Sequence, residues 1–586
     1  MRSILLFGLA VCSFAQTSPS PKASGMISDA SFLAAGQTFS QACAAAASAG
    51  LTLAVSSSWA SVPTGSCAAS VIGYTGGILH LAAGATLTLS GFSALSPTQQ
   101  VFDTTATGSS VRFTAGAVSA PSVLWWGSTS ASFQAALASS FTAGTGVFVP
   151  ASMSLNEAIT LGNLNQSVQC APGAVLTFTG ATNGFVISGN LHHSMQINNC
   201  TLATTNPRAG KAILLQANTT GVNLNNIIFR NSGSGAWTHG VYTTSVNIIN
   251  NWTNLYCAGI AHCVYLQDQA NATNIFNLAI DGTYNTGVEV DNSNSVLIEG
   301  GTFEGKPATA LVKTTNNAFT TIHGAYFEMT GGAGVEISAG GAQDNLDSIM
   351  LGGGSVPGSA IVHAGGGPFT VNNLQGFVTA PKYIIESPGI AFNNGQRFTV
   401  SNSAVINTSP SATSHAIEAG TATTGFLSTT IRDSTIKSTG TPIVLGSPGT
   451  NAQSVTISGN LIESPGTYAI DSTNLGGFRV PSAIKDNTIR TSTVICNGCT
   501  YSNTAPDSFN VLVSSGALQN AVPDSAQIVS GLPKTAGKAM VIQLGKVYVV
   551  RDALAPAIGS AVVAGGTAFA AVMYSPTSNS WTVVGK

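Results

Sequence analysis

A strand-turn-strand unit returns about every two dozen residues along this chain, and very few folds accept such a repeat. Ile298-Glu-Gly-Gly-Thr-Phe-Glu304 and Ile322-His-Gly-Ala-Tyr-Phe-Glu328 align without a gap. Upstream stand Ile275-Phe-Asn-Leu-Ala-Ile-Asp281, Leu224-Asn-Asn-Ile-Ile-Phe-Arg230 and Ile197-Asn-Asn-Cys-Thr-Leu202. A period of this length implies a solenoid, in which each unit buries its apolar side only against its neighbours. Apolar and polar residues alternate within each unit, the period of a half-buried strand.

The units also align by column. Phe229, Ile280, Phe303 and Phe327 share a column expected to stack inside. Asn199, Asn226, Asn254 and Asn277 share a turn column, where asparagine tolerates left-handed backbone and can hydrogen-bond along a stack. Glycine takes that column at Gly300 and Gly324. A further strand per turn reads as Gly240-Val-Tyr, Cys263-Val-Tyr-Leu, Gly287-Val-Glu-Val and Gly334-Val-Glu-Ile. The pattern resumes at Ile431-Arg-Asp-Ser-Thr-Ile436, Ile457-Ser-Gly-Asn-Leu-Ile462 and Ile484-Lys-Asp-Asn-Thr-Ile489. Periods of roughly 23 to 28 residues without helical spacing favour an all-β parallel β-helix over a leucine-rich or helical solenoid. A β-propeller needs longer periods and a blade signature that is absent.

Composition agrees. Only 7% of residues are charged, against roughly a quarter in an average soluble domain, and small polar residues fill the gap as turns between stacked strands require. A net charge of -2 gives no bulk attraction to nucleic acid or to an anionic membrane. Arg2, the apolar run Ile4 to Val11 and Ser13-Phe-Ala15 read as a secretory signal cut after Ala15. That run is too short for a membrane span, and no later stretch qualifies. Without Cys12, eight cysteines remain, an even count that favours disulfides in an exported chain. Local pairs are Cys43 with Cys67, Cys170 with Cys200, Cys257 with Cys263, and Cys496 with Cys499, although spacing alone does not fix connectivity. Cys496-Asn-Gly-Cys499 lacks a second CxxC and a βαβ context, which favours a structural clip over a redox or zinc site.

Along the chain, residues 1–15 form the signal and 16–37 a Ser- and Pro-rich leader. Residues 38–120 hold a short helix at Phe39 to Ala47 and early strands at Leu51–Val55, Ile78–Leu81 and Ala85–Leu89. Residues 121–505 begin with Trp125-Trp-Gly127, a helix near Phe133 to Ser140 and the strand Gly146-Val-Phe-Val-Pro150, then continue as the β-helix. Residues 506–586 change periodicity and read as a small C-terminal β module capping an otherwise open edge.

The lead-in resembles a known group. Trp125-Trp-Gly, an Ala-rich helix, Val-Phe-Val-Pro and strands ending in Pro172-Gly-Ala-Val look like the N-terminal part of pectate-lyase superfamily proteins, among them tailspike-like and rhamnogalacturonase- or epimerase-like members. The Tyr326-Phe-Glu328 turn is similar as well. The resemblance covers roughly residues 38 to 505. It implies a right-handed, single-stranded parallel β-helix with a short N-terminal helical lead-in and an extracellular polysaccharide as partner. Its tailspike-like members form trimers, so a homotrimer is compatible with it, while the residues themselves specify no oligomeric state.

A polysaccharide enzyme on such a scaffold needs carboxylates projecting from neighbouring strands into one groove. Glu289 and Asp291 flank Val290 and are expected to face outward as catalytic groups, with Glu336 of Val335-Glu-Ile337 in the equivalent place about two turns on. Tyr242 and Tyr265 precede Glu289 in that column as sugar-stacking residues, and Lys313 is positioned to meet an acidic sugar. Solvated strand residues and exposed tyrosines are the competing explanation.

A second row, Asp281, Glu304 and Glu328, spaces like charges one turn apart, where a raised carboxyl pKa or a bound cation would relieve repulsion. Oxygen ligands of this kind suit calcium, and the resemblance points the same way because the superfamily's lyases use it. Solvated strand ends are the plainer account. Lys437, Glu463 and Arg490 alternate in sign and read as surface pairing.

Departures matter too. Asn285-Thr-Gly-Val-Glu-Val-Asp291 resembles a polygalacturonase stretch that begins Asn-Thr-Asp-Gly, but its Asp is missing, and Lys306-Pro-Ala-Thr-Ala310 stands where that family has Gly-Asp-Asp. Its hydrolytic carboxylates are therefore not carried over. Arg230 near Asp281 is the nearest match to a lyase arginine, and an ordinary ion pair accounts for it. The eight histidines show no His-x-His or HExxH spacing, and there is no Gly-x-Ser-x-Gly elbow.

Two functions follow. One is a secreted protein that binds an extracellular polysaccharide and cleaves it as a hydrolase or lyase. The other is a non-catalytic surface or adhesion β-helix, since repetition builds a long stable surface without chemistry.

Overall fold

The computed structural model describes residues 25–497, apart from 181–182, 189–193, 208, 217, 234, 389–396, 422–424, 447–453, 467, 475–482 and 492–493. It also describes Ala561 and strands within 511–519 and 547–585. The protein is nearly all β, a right-handed parallel β-solenoid of about 17 turns with few helices. Two compact units divide it, residues 1–284 with 293–296, and residues 285–292 with 297–586. The proposed signal and Cys499 lie outside the described residues.

In the first unit the ladder begins earlier than the tryptophan pair. Thr52–Val55, Val71–Gly73 and Phe92–Ala94 form one parallel ladder. Trp59–Val62, Leu79–Leu81 and Phe102–Asp103 form a second, and Gly65–Cys67, Thr86–Leu89 and Ser110–Phe113 a third. Each turn thus carries three short strands. The helix Phe39–Ser48 starts at a capping box, in which Thr38 and Gln41 each accept the other's backbone N–H. Its buried face is Phe39, Ala42, Cys43 and Ala46, the spacing of one helical stripe. Cys43 from that stripe is bonded to Cys67. Trp125 packs edge-on against Phe92 at 4.9 Å and Trp126 against Phe102 at 5.0 Å, so the pair plugs the early ladder. The helix Ser130–Ala143 follows, ended by Gly144 at φ 69°, a left-handed cap that glycine takes without strain.

The asparagine column is a hydrogen-bonded ladder. Asn199, Asn226, Asn254 and Asn277 all have φ between 53° and 58°. Asn226 Nδ2 donates to Asn199 Oδ1 at 2.9 Å, and Asn277 Nδ2 to Asn254 Oδ1 at 2.7 Å. Cys170–Cys200 and Cys257–Cys263 are both bonded, as the local pairing anticipates. Inside, Leu202, Phe229, Cys257 and Ile280 occupy one register column, each no more than 3% exposed.

The second unit keeps the same turn with other residues. Gly300, Gly324, Ser348, Asn373, Asn402, Asp433, Gly459 and Asp486 hold it, all at positive φ. Phe303 stacks on Phe327 at 4.8 Å and 15°, and the column continues through Leu351, Gly376, Val405, Ile436, Ile462 and Ile489. Glu463 pairs with Lys437 at 3.3 Å and with Arg490 at 2.7 Å, the expected surface pairing. Val547–Ala553, Ala568–Ser575 and Ser580–Gly585 form an antiparallel three-stranded sheet. Among the described residues, no helix is long and apolar enough to cross a membrane.

Candidate functional site

The best-developed acidic pair lies in the second unit and was not singled out by alternation alone. Ile385–Ser387 pairs in parallel with Ile417–Ala419, which sets Glu386 opposite Glu418. Their neighbours Ile385, Ser387, Ile417 and Ala419 are fully buried, so strand alternation turns both glutamates outward. Both are half-buried. The column extends back through Val362 and Ser338 to Lys313, and forward through Val444 to Asp471.

Polar groups converge on the pair. The Ser359 hydroxyl donates to Glu386 Oε2. The Tyr383 hydroxyl hydrogen-bonds Glu418, and its ring stacks on His415 at 5.1 Å. His415 Nδ1 lies 2.8 Å from the Thr441 carbonyl oxygen, which can only accept, so Nδ1 carries a proton. Burial pushes the Glu418 carboxyl up to about 7, with the Glu386 charge adding to the shift and the Tyr383 hydrogen bond and Lys382 opposing it. Burial, and then the Glu418 charge, drive the Tyr383 phenol well above its ordinary range. One carboxyl therefore still holds its proton near neutrality, one rung from a second carboxylate, beside an aromatic face. That is the equipment of acid–base chemistry on a sugar.

The anticipated carboxylates take other roles. Lys313 stands on the strand Thr302–Thr315, and its Nζ lies 2.7 Å from Glu289 Oε1. Glu289 is only 8% exposed, a largely buried half of an ion pair where an open outward carboxylate was anticipated. Asp291 accepts hydrogen bonds from Thr315 Oγ1 at 3.0 Å and from Asn316 Nδ2.

Glu336 does not share the Glu289 column. Register pairs Val312 with Ile337 and Lys313 with Ser338, so Ser338 holds the outward place. The amides of Glu336 and Ile337 both donate to the Ala360 carbonyl, at 3.0 and 3.1 Å. That shared acceptor breaks the alternation and turns Glu336 inward, where it is fully buried. Burial pushes its carboxyl up to about 8; the Met329 backbone offsets part of this, yet neither Oε meets a donor in hydrogen-bond geometry. It is neutral at pH 7.

Of the anticipated cation row, Glu304 pairs in register with Glu328, whose Oε2 accepts from the Tyr326 hydroxyl, and Asp281 ends the strand Ala279–Asp281 of the first unit. No group of three His, Cys, Asp or Glu among the described residues is arranged to hold a metal ion. Arg230 and Asp281 are two turns apart, with Ala258 between them in register.

The first unit carries the anticipated tyrosines within a larger patch. Lys211, His239 and His262 form one register column, and Tyr242 pairs with Tyr265 in another. The imidazoles of His239 and His262 stack at 4.9 Å, and the two tyrosine rings meet edge-on at 5.2 Å. Lys211 Nζ lies 5.0 Å from the Tyr242 ring centroid, a cation–π contact. Burial, reinforced by His262 and Lys211, lowers His239 to about 3, so it is neutral at pH 7. The tyrosine pair was legible from the matching strings Val-Tyr242 and Val-Tyr265; His239 and His262 recur at the same spacing of 23 residues, but short-range patterns such as His-x-His do not reveal a column of that period.

Glu386 and Glu418 escaped the sequence reading for a similar reason. They are 32 residues apart, well beyond the common repeat, so no ungapped alignment brings them together. The signal that could find them is the Ile-Glu pair that opens each strand.

No family model matches the chain, and neither does any curated protein. Among solved structures, the tailspike of Acinetobacter phage vB_ApiP_P1 is 12% identical with a TM-score of 0.33, covering 76% of this chain and 73% of that one. The A-module of an Azotobacter vinelandii mannuronan C-5 epimerase is 12% identical with a TM-score of 0.30, covering 66% and 94%. The catalytic domain of a GH87 alpha-1,3-glucanase is 14% identical with a TM-score of 0.34, covering 67% and 70%. None of these three reaches a TM-score of 0.5, and the functional reading rests on this chain's own residues.

Proposed function

We propose that the protein binds an extracellular polysaccharide on the outward strand face of its second unit and cleaves it by glycoside hydrolysis. The observation that carries this is the register of Glu386 against Glu418 with the raised carboxyl of Glu418. Glu418 is the proton donor to the leaving oxygen, and Glu386 is the carboxylate that attacks or stabilises the sugar cation. Successive rungs are ~4.8 Å apart, close to the roughly 5 Å separation of retaining glycosidases, so retention of configuration is expected. Tyr383 and His415 supply ring faces to the sugar. Export through the N-terminal signal accompanies this function, and the three bonded cysteine pairs support it.

The test is incubation with neutral and acidic polysaccharides, with and without calcium, following reducing ends and the ultraviolet absorbance of unsaturated uronates together. Reducing ends alone, lost in Glu418→Gln, support hydrolysis. Unsaturated products indicate a lyase and remove this assignment.

The second reading, a glycan-binding β-helix without turnover, is favoured by the Lys211–His239–His262–Tyr242–Tyr265 patch, which offers ring faces and a cation but no acid–base carboxyl pair. Retained glycan binding with no products across the panel supports it.

A further inference from the structure

Three successive turns near the start of the first unit bring together a serine, a histidine and an aspartate in hydrogen-bonding order. Ser58 immediately precedes the strand Trp59–Val62, His80 lies on Leu79–Leu81, and Asp103 ends Phe102–Asp103. These strands are neighbours in one parallel ladder. Trp59, Leu79 and Phe102 are buried, which leaves Ser58, His80 and Asp103 on the outer side. His80 Nδ1 lies 2.6 Å from Asp103 Oδ2, and His80 Nε2 lies 3.2 Å from Ser58 Oγ.

The proton positions follow from the partners. Asp103 Oδ1 accepts from the Thr105 amide at 3.0 Å and the Thr105 hydroxyl at 2.7 Å. These bonds, and more weakly His80, hold its carboxyl below the usual range, so it is ionised and can only accept. His80 must therefore donate from Nδ1, and its Nε2 faces the Ser58 hydroxyl. This tautomer and this order are what a nucleophilic serine requires.

The segment around Ser58 is held from beneath. Fully buried Asp29 accepts from the Ser56 amide and hydroxyl at 2.9 and 3.0 Å, from the Ser57 amide at 3.1 Å and from Trp59 Nε1 at 2.9 Å. One carboxylate thus fixes the chain on both sides of Ser58, which a merely decorative surface serine does not need. The His80 side chain is 38% exposed and Asp103 23%, so an acyl group on a large substrate can reach the site.

We propose that Ser58, His80 and Asp103 form an acyl-transfer site that hydrolyses carboxylic esters, such as O-acyl groups carried by a glycan. Ser58 Oγ bonds to the ester carbonyl carbon while His80 Nε2 takes its proton. The carbon–alkoxy bond breaks, and the leaving alcohol receives that proton. Water then adds to the acyl carbon with His80 as base, the Ser58–acyl bond breaks, and the carboxylic acid departs. The net reaction is ester plus water to acid plus alcohol, with no other reactant. It is independent of the Glu386–Glu418 reading.

The experiment treats the full chain with a fluorophosphonate probe, maps the adduct by mass spectrometry, and measures p-nitrophenyl acetate hydrolysis. The expected result is an adduct on Ser58 that is lost in His80→Gln. Ester turnover should fall at least a thousandfold in Ser58→Ala and steeply in Asp103→Asn, which removes the charge that sets the tautomer. Unchanged melting temperatures show that these exposed replacements fold. No adduct on Ser58, or an adduct formed equally in His80→Gln, overturns the proposal.

Discussion

Lys313 Nζ lies 2.7 Å from Glu289 Oε1, with the two side chains 29% and 11% exposed, so this cation and carboxylate are committed to each other. Such a pair stabilises little against a well-packed apolar substitute, but removing one partner strands the other charge. Lys313→Met is expected to lower stability by about 3 kcal/mol in urea unfolding, and adding Glu289→Gln to recover most of it. An equal loss in the double variant would show that packing, not charge, holds these strands.

The second prediction concerns pH. Glu336 has its carboxyl raised from 4.5 to about 8, so the folded state binds its proton more tightly than the unfolded chain does. Its stabilisation is complete below about pH 4.5 and is lost as pH rises through about 8. His239 and His363, lowered to about 3 and about 4 by burial, act in the opposite sense, but their effect is complete above about pH 6.5. The melting temperature should therefore fall between pH 6.5 and 8. Glu336→Gln should flatten that slope and melt higher than the wild type at pH 8. A wild-type melting temperature that holds constant over this interval would contradict the burial of an ionisable Glu336.

For the proposed acid–base pair, glycan cleavage should decline as pH rises past about 7, when Glu418 loses its proton. Glu418→Gln and Glu386→Gln should each lower turnover about a hundredfold to ten-thousandfold. Glycan binding by the variants should change little, because neither amide alters the ring faces. An assay in which Glu289→Gln abolishes cleavage while Glu418→Gln does not would move the chemistry to the Lys313–Glu289 pair.

The turn column supplies a conformational test. Asn226 has φ 55° and donates to Asn199 across one rung. Asn226→Ala should cost about 2 kcal/mol, from left-handed backbone strain plus a lost exposed hydrogen bond. Asn226→Gly should cost roughly half as much, since glycine accepts the backbone. Thermal unfolding of the two variants decides it, and equal losses would assign the whole cost to the ladder bond.

The solenoid was legible because its determinants are local: alternation, a recurring turn residue and an apolar column at one spacing. Phe303 on Phe327 and Asn226 on Asn199 sit where the aligned repeats place them. The chemistry was less legible because it depends on register. Glu336 reads like Glu289 in the string Gly-Val-Glu, but two amides sharing the Ala360 carbonyl rotate it into the core. Glu386 and Glu418 are opposite in register although 32 residues apart, so the common spacing of the repeat does not align them. His80 looked scattered by the same measure, although it is 22 and 23 residues from its partners, one rung each.

The left-handed turn has a consequence for how such a chain changes size. Its occupants recur 23 to 31 residues apart, so one edge of every rung is invariant in shape while the remainder tolerates different lengths. Excising residues 373 to 401 would bring the turn at Asn402 into the place of the turn at Asn373, one of the same backbone form. Length along the solenoid is therefore adjustable in whole steps, and variation in surface belongs to the stretches between those fixed corners.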